Sequence, residues 1–486
     1  MKANFIHILA HIRTPLLLLL ALFFFTKNST AQETWTLERC VKQAQQNSLF
    51  LRQSQINIRE AQLGERQNTL ARYPSLSAGS SLGLNLGRAI NPTTNAFETQ
   101  SSGFNSLSLN SGVLIYNGNR TNNLIRQSQL NVAAAEAEAA QAANNLALNV
   151  AAAYLQVLLA EEQLENTQKR ILQTTNQLVL TEKLIAAGSR PPGDRLDLQS
   201  QIARAEQNIV EAQNLVEISY LNLKQLLLIE PSQPMKVSKI DVTVPADVMP
   251  EKQELNPIYL RALEILPNVK AGELREKSAE IGTKLARATG LPTVSLNANV
   301  NSFYSTRGQK LTTQVIGTKN IDQNIIFNGA PAVLTFVQPD VRLNFEKDPY
   351  FSQLSENLGA GVSINVNVPI YNNGQTSIAK ERAQLNILSA QTASQQLKQQ
   401  LKSDIQKAIA DARAGKKTYE AAEKTLSAFK NAFENTEKRF KAGAANSFEL
   451  ASSKTNLDTS ETDLTVAKYD YLFKLKILDF YQGKKM

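Results

Sequence analysis

Apolar and polar side chains alternate one for one in four stretches of the chain. From Leu76 to Arg88, the side chains of Leu76, Ala78, Leu82, Leu84 and Leu86 share one face, interrupted by Ser80, and small polar residues such as Ser77, Gly79 and Asn85 fill the other. From Gly359 to Ile370, Ala360, Val362, Ile364, Val366, Val368 and Ile370 lie together, opposite Gly361, Ser363, Asn365 and Asn367. Asn105–Ile115 groups Leu107, Leu109, Val113 and Ile115, and Val294–Val300 repeats the pattern through Leu296 and Ala298. A period of two predicts strands. Soluble strands average about 5–6 residues. Longer alternation, with small polar residues opposite the apolar ones, favours strands that face lipid on one side and water on the other over half-buried strands of a soluble sandwich.

Between these strands the pattern changes to helix. No Gly or Pro occurs from Asn119 to Ala187, a stretch worth about 100 Å as one helix. Gln375–Ala442 matches it, with Gly415 alone inside. Return helices are expected over Asp194–Glu230 and Ala444–Gln482, and leading helices over about Thr36–Arg72 and Asn256–Ala288. Leu164, Ile171, Leu178 and Ile185 recur at heptad spacing, which suits coiled-coil packing. The helices alone would equally describe a soluble coiled-coil rod, and the strands separate the two readings.

The chain is internally duplicated. Tyr371-Asn372-Asn373-Gly374 follows Tyr116-Asn117-Gly118 at an offset of 255 residues, and Gly443 follows Gly188 at the same offset. Beyond the glycines the offset falls to 252, as in Leu198 and Leu450, so the first copy holds three extra residues around Arg190-Pro191-Pro192-Gly193. The two repeats are residues 32–230, with a strand pair at about 74–117 and a helical hairpin at about 119–230, and residues 257–486, with a strand pair at about 291–371 and a hairpin at about 375–482. The proline-rich residues 231–256 read as a linker.

Composition narrows the chemistry. Both histidines, His7 and His11, fall inside residues 1–31, where Lys2 and Arg13, an apolar run Leu16–Phe25 and Ser29-Thr30-Ala31 spell a secretory signal. Cleavage near Ala31 leaves 455 residues without histidine and a charge reduced from +9 to +6. This excludes imidazole catalysis and imidazole metal ligation. A single cysteine, Cys40, forms no internal disulfide. No dense Lys/Arg run points to nucleic acid, and no phosphate-loop or metal-ligand spacing appears, so no cofactor is expected. The chain does not read as an enzyme.

Four strands cannot seal a membrane barrel, whose smallest forms need about eight, and open edges in lipid are prohibitive. Identical copies must share one wall, and three of them would supply about twelve strands. Taken in order, Trp35-Thr36-Leu37-Glu38-Arg39-Cys40, the exits at Tyr116-Asn117-Gly118 and Tyr371-Asn372-Asn373-Gly374, the turn glycines Gly188 and Gly443, and Tyr469-Asp470-Tyr471-Leu472 with Leu475 and Leu478 resemble the TolC-like outer-membrane efflux proteins across the mature chain. The resemblance implies a mixed α and β fold, with four transmembrane strands per protomer in a twelve-stranded trimeric β-barrel, continued by a long periplasmic α-helical barrel. It also implies a homotrimer in outer-membrane lipid. Such a duct docks an inner-membrane pump of the resistance-nodulation-division, ABC or major facilitator type through a periplasmic adaptor.

Residue by residue, the resemblance places the periplasmic pore entrance at Asp197, Glu449 and Ser452, the last not acidic where an acid is common. It places the helix-turn tip, where an adaptor would dock, at Gly188, Gly443 and Asp194. Tyr116, Gly118, Tyr371 and Gly374 mark the strand-to-helix exits. Ala445 and Phe440 replace the basic residue and the tyrosine of the family's interhelix lock. Asp194 and Ser447 are candidate N-caps, and the alternative for Asp197 and Glu449 is an ordinary solvated helix face. Two loops would lie outside the cell, a short one at about Arg88–Ser102 and a long one at 304–357 that could be a plug, a cap or a surface epitope. The competing function is a periplasmic coiled-coil adaptor or structural protein of an export complex.

Overall fold

The computed structural model describes residues 34–90, 95–99, 101–239 and 250–484. The expected signal segment, its cleavage near Ala31, and part of the 231–256 linker lie outside these residues. In chain order the elements are β1 (Thr34–Trp35), α1 (Leu37–Asn47), α2 (Leu49–Leu70), β2 (Ser75–Asn85), β3 (Arg88–Ile90), β4 (Phe97–Thr99), β5 (Ser102–Tyr116), α3 (Arg120–Ala186), α4 (Gly193–Leu227) and β6 (Lys236–Val237). The second half has α5 (Leu255–Ile265), α6 (Pro267–Ala288), β7 (Thr293–Ser305), β8 (Gln309–Phe327), β9 (Ala330–Lys347), α7 (Tyr350–Glu356), β10 (Gly359–Asn367), α8 (Gln375–Lys441) and α9 (Ser447–Tyr481). The duplication holds to the residue: α3 and α8 both have 67 residues, and α4 and α9 both have 35.

Each leading helix expected to be continuous is instead broken once, at equivalent positions. Ser48 leaves helical geometry (ψ 121°), and its hydroxyl accepts from Leu51 N, so it starts the next helix. Leu266 adopts ψ 126° because Pro267 follows it and disfavours helix at the preceding residue.

The chain divides into two compact units, residues 1–60, 132–276 and 390–486, and residues 61–131 and 277–389. The first holds two buried clusters built from matching positions. Val150, Tyr154 and Val157 of α3 pack with Cys40, Ala44 and Leu223; 255 residues on, Ile405, Ile409 and Ala412 of α8 pack with Ile258, Ala262 and Leu475. Each fully buried aliphatic side chain here contributes about 1.5–3 kcal/mol. Tyr154 does not merely fill space. Its hydroxyl lies 3.0 Å from the Trp35 carbonyl and 2.8 Å from that of Ser238, which ties down the parallel β1–β6 ladder. Burial pushes its pKa up to about 12. Nearby, Lys239 and Lys169 hydrogen-bond Glu165 and hold its carboxyl down at about 2.

The second unit holds a four-stranded antiparallel sheet in the order β10-β7-β5-β2. The register aligns Ala78 with Leu109, Leu109 with Val300, and Val300 with Ala360, so one face is apolar across all four strands. The next row aligns Ser77, Asn110, Asn299 and Gly361, so the opposite face is polar and small. On the apolar face, Leu82 and Val362 are 85% and 75% exposed. The first loop, expected over Arg88–Ser102, contains the short β3–β4 pair. The expected long loop 304–357 is not a loop: β8 and β9 form an antiparallel ribbon from Gln309↔Lys347 to Phe327↔Ala330, followed by α7. Its turn is Asn328-Gly329, with φ of 52° and 77°, the pair of positive values that a two-residue hairpin turn requires.

Candidate functional site

Two regions carry the expected site residues: the strand-to-helix exits of the second unit, and the helix turns of the first.

At the exits, Tyr116-Asn117-Gly118-Asn119 and Tyr371-Asn372-Asn373-Gly374 fold alike. The central pairs, Gly118-Asn119 and Asn373-Gly374, all have positive φ. The turns close through Arg120 N to Asn117 O (3.2 Å) and Gln375 N to Asn372 O (3.0 Å). Asn117 and Asn372 each donate to a threonine four residues on, Thr121 and Thr376 (2.8 and 2.7 Å). The two copies thus exchange Gly-Asn for Asn-Gly without changing the turn. Gly118 is also packed, since a Cβ there would lie 2.6 Å from Leu291 Cδ1, whereas Gly374 faces open space. Tyr116 and Tyr371 are both exposed.

At the helix turns, Gly188 and Gly443 have φ of 72° and 75°, and a Cβ on either would meet nothing within 4 Å. They are glycines for the left-handed backbone of a helix end. Ser189 N bonds Leu184 O and Ala444 N bonds Arg439 O, which satisfies the last carbonyls in the same way in both copies. The returns start differently. Helix α9 is capped by Asn446, whose side chain accepts from Glu449 N at 2.8 Å, and not by Ser447. Helix α4 has Pro192 at its cap position with no side-chain bond, and Asp194, expected as the cap, lies inside the first turn.

Asp194 does something else. It is buried, and its Oδ2 lies 3.6 Å from Arg190 Nη1, itself only 12% exposed. The Arg190 guanidinium stacks 3.6 Å from the centroid of the Phe440 ring and donates to the Phe440 carbonyl at the end of α8. Phe440, Ala445 and Leu450 form a small buried cluster beneath it. A cation at a helix C-terminus, over an aromatic face and beside a carboxylate, is favoured three times over. Arg190 belongs to the residues present in the first copy alone. Adjacent to it, a cavity of about 680 Å³ between α3, α4, α8 and α9 is lined by Leu180, Leu198, Phe433, Phe440 and Leu457.

Asp197, Glu449 and Ser452 are all exposed. Glu449 pairs with Arg439 across the turn at 3.4 Å. Sequence reasoning missed a polar tie between α3 and α9. Arg170 reaches Asp458 and Glu461 (3.5 Å each) and Thr462 (3.0 Å), and Lys454 bonds Gln173 (2.9 Å). Nothing in the sequence marks these residues, which are almost 300 positions apart. Among the described residues, no group of three or more His, Cys, Asp or Glu side chains could hold a metal.

A profile of the outer membrane efflux proteins matches residues 40–227 and 258–483. Comparison with curated proteins finds no match. Among solved structures, the chain is similar to CusC (16% identity, 92% of each chain covered, TM-score 0.71). It is similar to VceC, an outer membrane protein of Vibrio cholerae (15% identity, covering 92% of this chain and 96% of that one, TM-score 0.70). It is also similar to the CmeC outer membrane channel of Campylobacter jejuni (14% identity, covering 92% and 85%, TM-score 0.68). At these identities the likeness is one of fold.

Proposed function

The chain belongs to the outer membrane efflux protein family, and on that premise we propose that three copies form an outer-membrane channel-tunnel. It conducts substrates passively from an inner-membrane pump, through a periplasmic adaptor, to the exterior. The observation that carries this reading is the open sheet. Its outer strands β2 and β10 run antiparallel, each with an unpaired edge and with one apolar and one Ser/Asn/Gly face. β2 of one copy can therefore pair with β10 of the next in the same sense as the pairs within the sheet. Such a head-to-tail contact gives a ring when the rotation from copy to copy closes. Three copies give about twelve strands with lipid outside and water within.

The helix turns then form the periplasmic entrance. Asp197 and Glu449, repeated by symmetry, place acidic charge there, with Ser452 one turn further along the helix, and a carboxylate ring favours cations. Gly188, Gly443 and Asp194 shape the surface that an adaptor meets. The chain carries no chemistry of its own in this reading. The competing adaptor reading leaves the apolar sheet face without a use.

The test is to purify the mature protein from outer membranes, measure its mass in mild detergent, and reconstitute it in planar bilayers. The expected result is a trimer that conducts ions. A monomer that is stable in buffer without detergent overturns the proposal.

A further inference from the structure

We infer that the bore of the proposed barrel is an uncharged, flattened wall of serine, asparagine and glycine that admits molecules of either charge, so that sorting by charge falls to the helical part of the duct. The inference rests on the trimer proposed above.

Charged residues make up 20% of the chain, yet β2, β5, β7 and β10 contain none. The register carries this across the whole sheet. On its polar face, the row through Asn110 and Asn299 is flanked on either side by a row that also crosses all four strands and also holds only Ser, Asn and Gly. No side chain in these rows is larger than asparagine. Further along the same face stand Phe303 and Phe104, which are uncharged too.

Strand formation does not call for these residues. Asn and Gly are depleted from strands, and a Gly inside one often marks the close approach of another group. Here that group is an asparagine amide. A Cβ on Gly112 would lie 2.9 Å from Asn297 Oδ1, one on Gly361 2.9 Å from Asn299 Oδ1, and one on Gly359 3.4 Å from Asn301 Oδ1. Each of these β7 amides therefore leans sideways over a glycine of the adjacent strand, on β5 or β10. They are tied along their own strand as well: Asn299 Nδ2 donates to Asn301 Oδ1 and Asn297 Nδ2 to Ser295 Oγ, both at 3.3 Å. The side chains lie along the sheet and do not stand out from it.

A wetted wall need not be built this way. Lys, Arg, Asp and Glu would serve as well for water, but a wall of one sign gathers counter-ions and repels ions of its own sign, and rings of charge are one means by which pores select. Amides and hydroxyls bind water without net charge. Laid flat over glycine, they also leave the bore nearly as wide as the backbone allows. Three such sheets in a ring present the same neutral surface all round, so an amphipathic amine, a carboxylate and an uncharged molecule meet the same wall. The helix turns differ, because Asp197 and Glu449 are exposed there.

The test uses Asn299→Cys in the full-length channel, with Val300→Cys on the apolar face as the comparison; the native Cys40 is buried. A cationic and an anionic methanethiosulfonate are applied to the trimer in non-ionic detergent, and each rate is divided by that of the same reagent with a small thiol in solution. The two normalised rates at Asn299→Cys are expected to agree within about two-fold, in low and in high salt alike. A larger preference for one sign that shrinks in high salt overturns the inference and leaves the channel reading intact. Reaction at Val300→Cys and not at Asn299→Cys puts the apolar face inward and overturns both, as does a monomer by native mass. As a second variant, Asn299→Asp sets one carboxylate on the wall of each copy and is expected to shift the reversal potential under a salt gradient towards cations; no shift counts against the inference, because ions would then not meet this wall.

Discussion

Arg190 covers the ring of Phe440, 250 residues further along the chain, and donates to that residue's own carbonyl, so one side chain joins the turn of the first hairpin to the turn of the second. Removing it exposes two weaknesses at once. Arg190→Ala leaves Asp194 buried without its partner, which costs on the order of 3 kcal/mol, and it uncaps α8. The expected outcome is a lower unfolding temperature together with a larger or more frequently open conductance in bilayers. Arg190→Lys restores charge but not the planar stack, so it recovers only part of the effect. Wild-type conductance in Arg190→Ala would show that the contact does not restrain the entrance.

Glu449 is half paired already, by Arg439. Glu449→Ala alone is therefore expected to reduce cation preference modestly, and Glu449→Ala with Asp197→Asn to reduce it further. Reversal potentials under a salt gradient report both. Unchanged selectivity in the double variant returns the two carboxylates to a solvated helix face.

The duplicated exits offer a matched pair. Gly374→Ala meets only the cost of a left-handed backbone, about 1–2 kcal/mol. Gly118→Ala carries the same backbone cost and also drives a methyl into Leu291, so it is expected to destabilise more. Thermal dissociation of the two variants, compared side by side, decides the order.

Cys40 is fully buried, and desolvation pushes its thiol up to about 12 from 9.0, against a smaller opposing pull from Arg39. The folded state therefore holds this proton more tightly than the unfolded one. The associated stability is complete below pH 9 and is lost as pH rises toward 12. Ellman's reagent at pH 8 is expected to leave Cys40 untouched in the folded protein and to titrate one thiol after denaturation. Rapid modification of the native protein would contradict its burial.

What could be read from the sequence was what periodicity encodes. The apolar faces that carry Leu76 and Ala78, Leu109, Val300 and Ala360 follow from alternation alone, and the equal lengths of α3 and α8 follow from the 255-residue offset. Contacts between distant positions carry no such signature. Arg190 with Phe440, and Arg170 with Asp458, emerge only once the helices are side by side. The ribbon lies between these cases. Asn328-Gly329 is a strong hairpin signal, whereas Pro331 and Pro339 are residues that strands ordinarily exclude. Pro331 and Pro339 are tolerated because β9 has no partner on its outer side, so a missing N–H leaves no ladder bond unmade. The N-cap expected at Asp194 failed for a related reason, because the buried Arg190 had a stronger claim on that carboxylate than the helix start did.

The extra residues that carry Arg190, Pro191 and Pro192 occur in one copy of the repeat and not the other. A threefold ring of such chains would present six hairpin ends of two unlike kinds in alternation, one stiffened by prolines and pinned by arginine, the other closed by an asparagine. Whatever grips that rim would find three repeating pairs of handles, not six equivalent ones, and would have to bring either three molecules that each span a pair or two differently fitted sets.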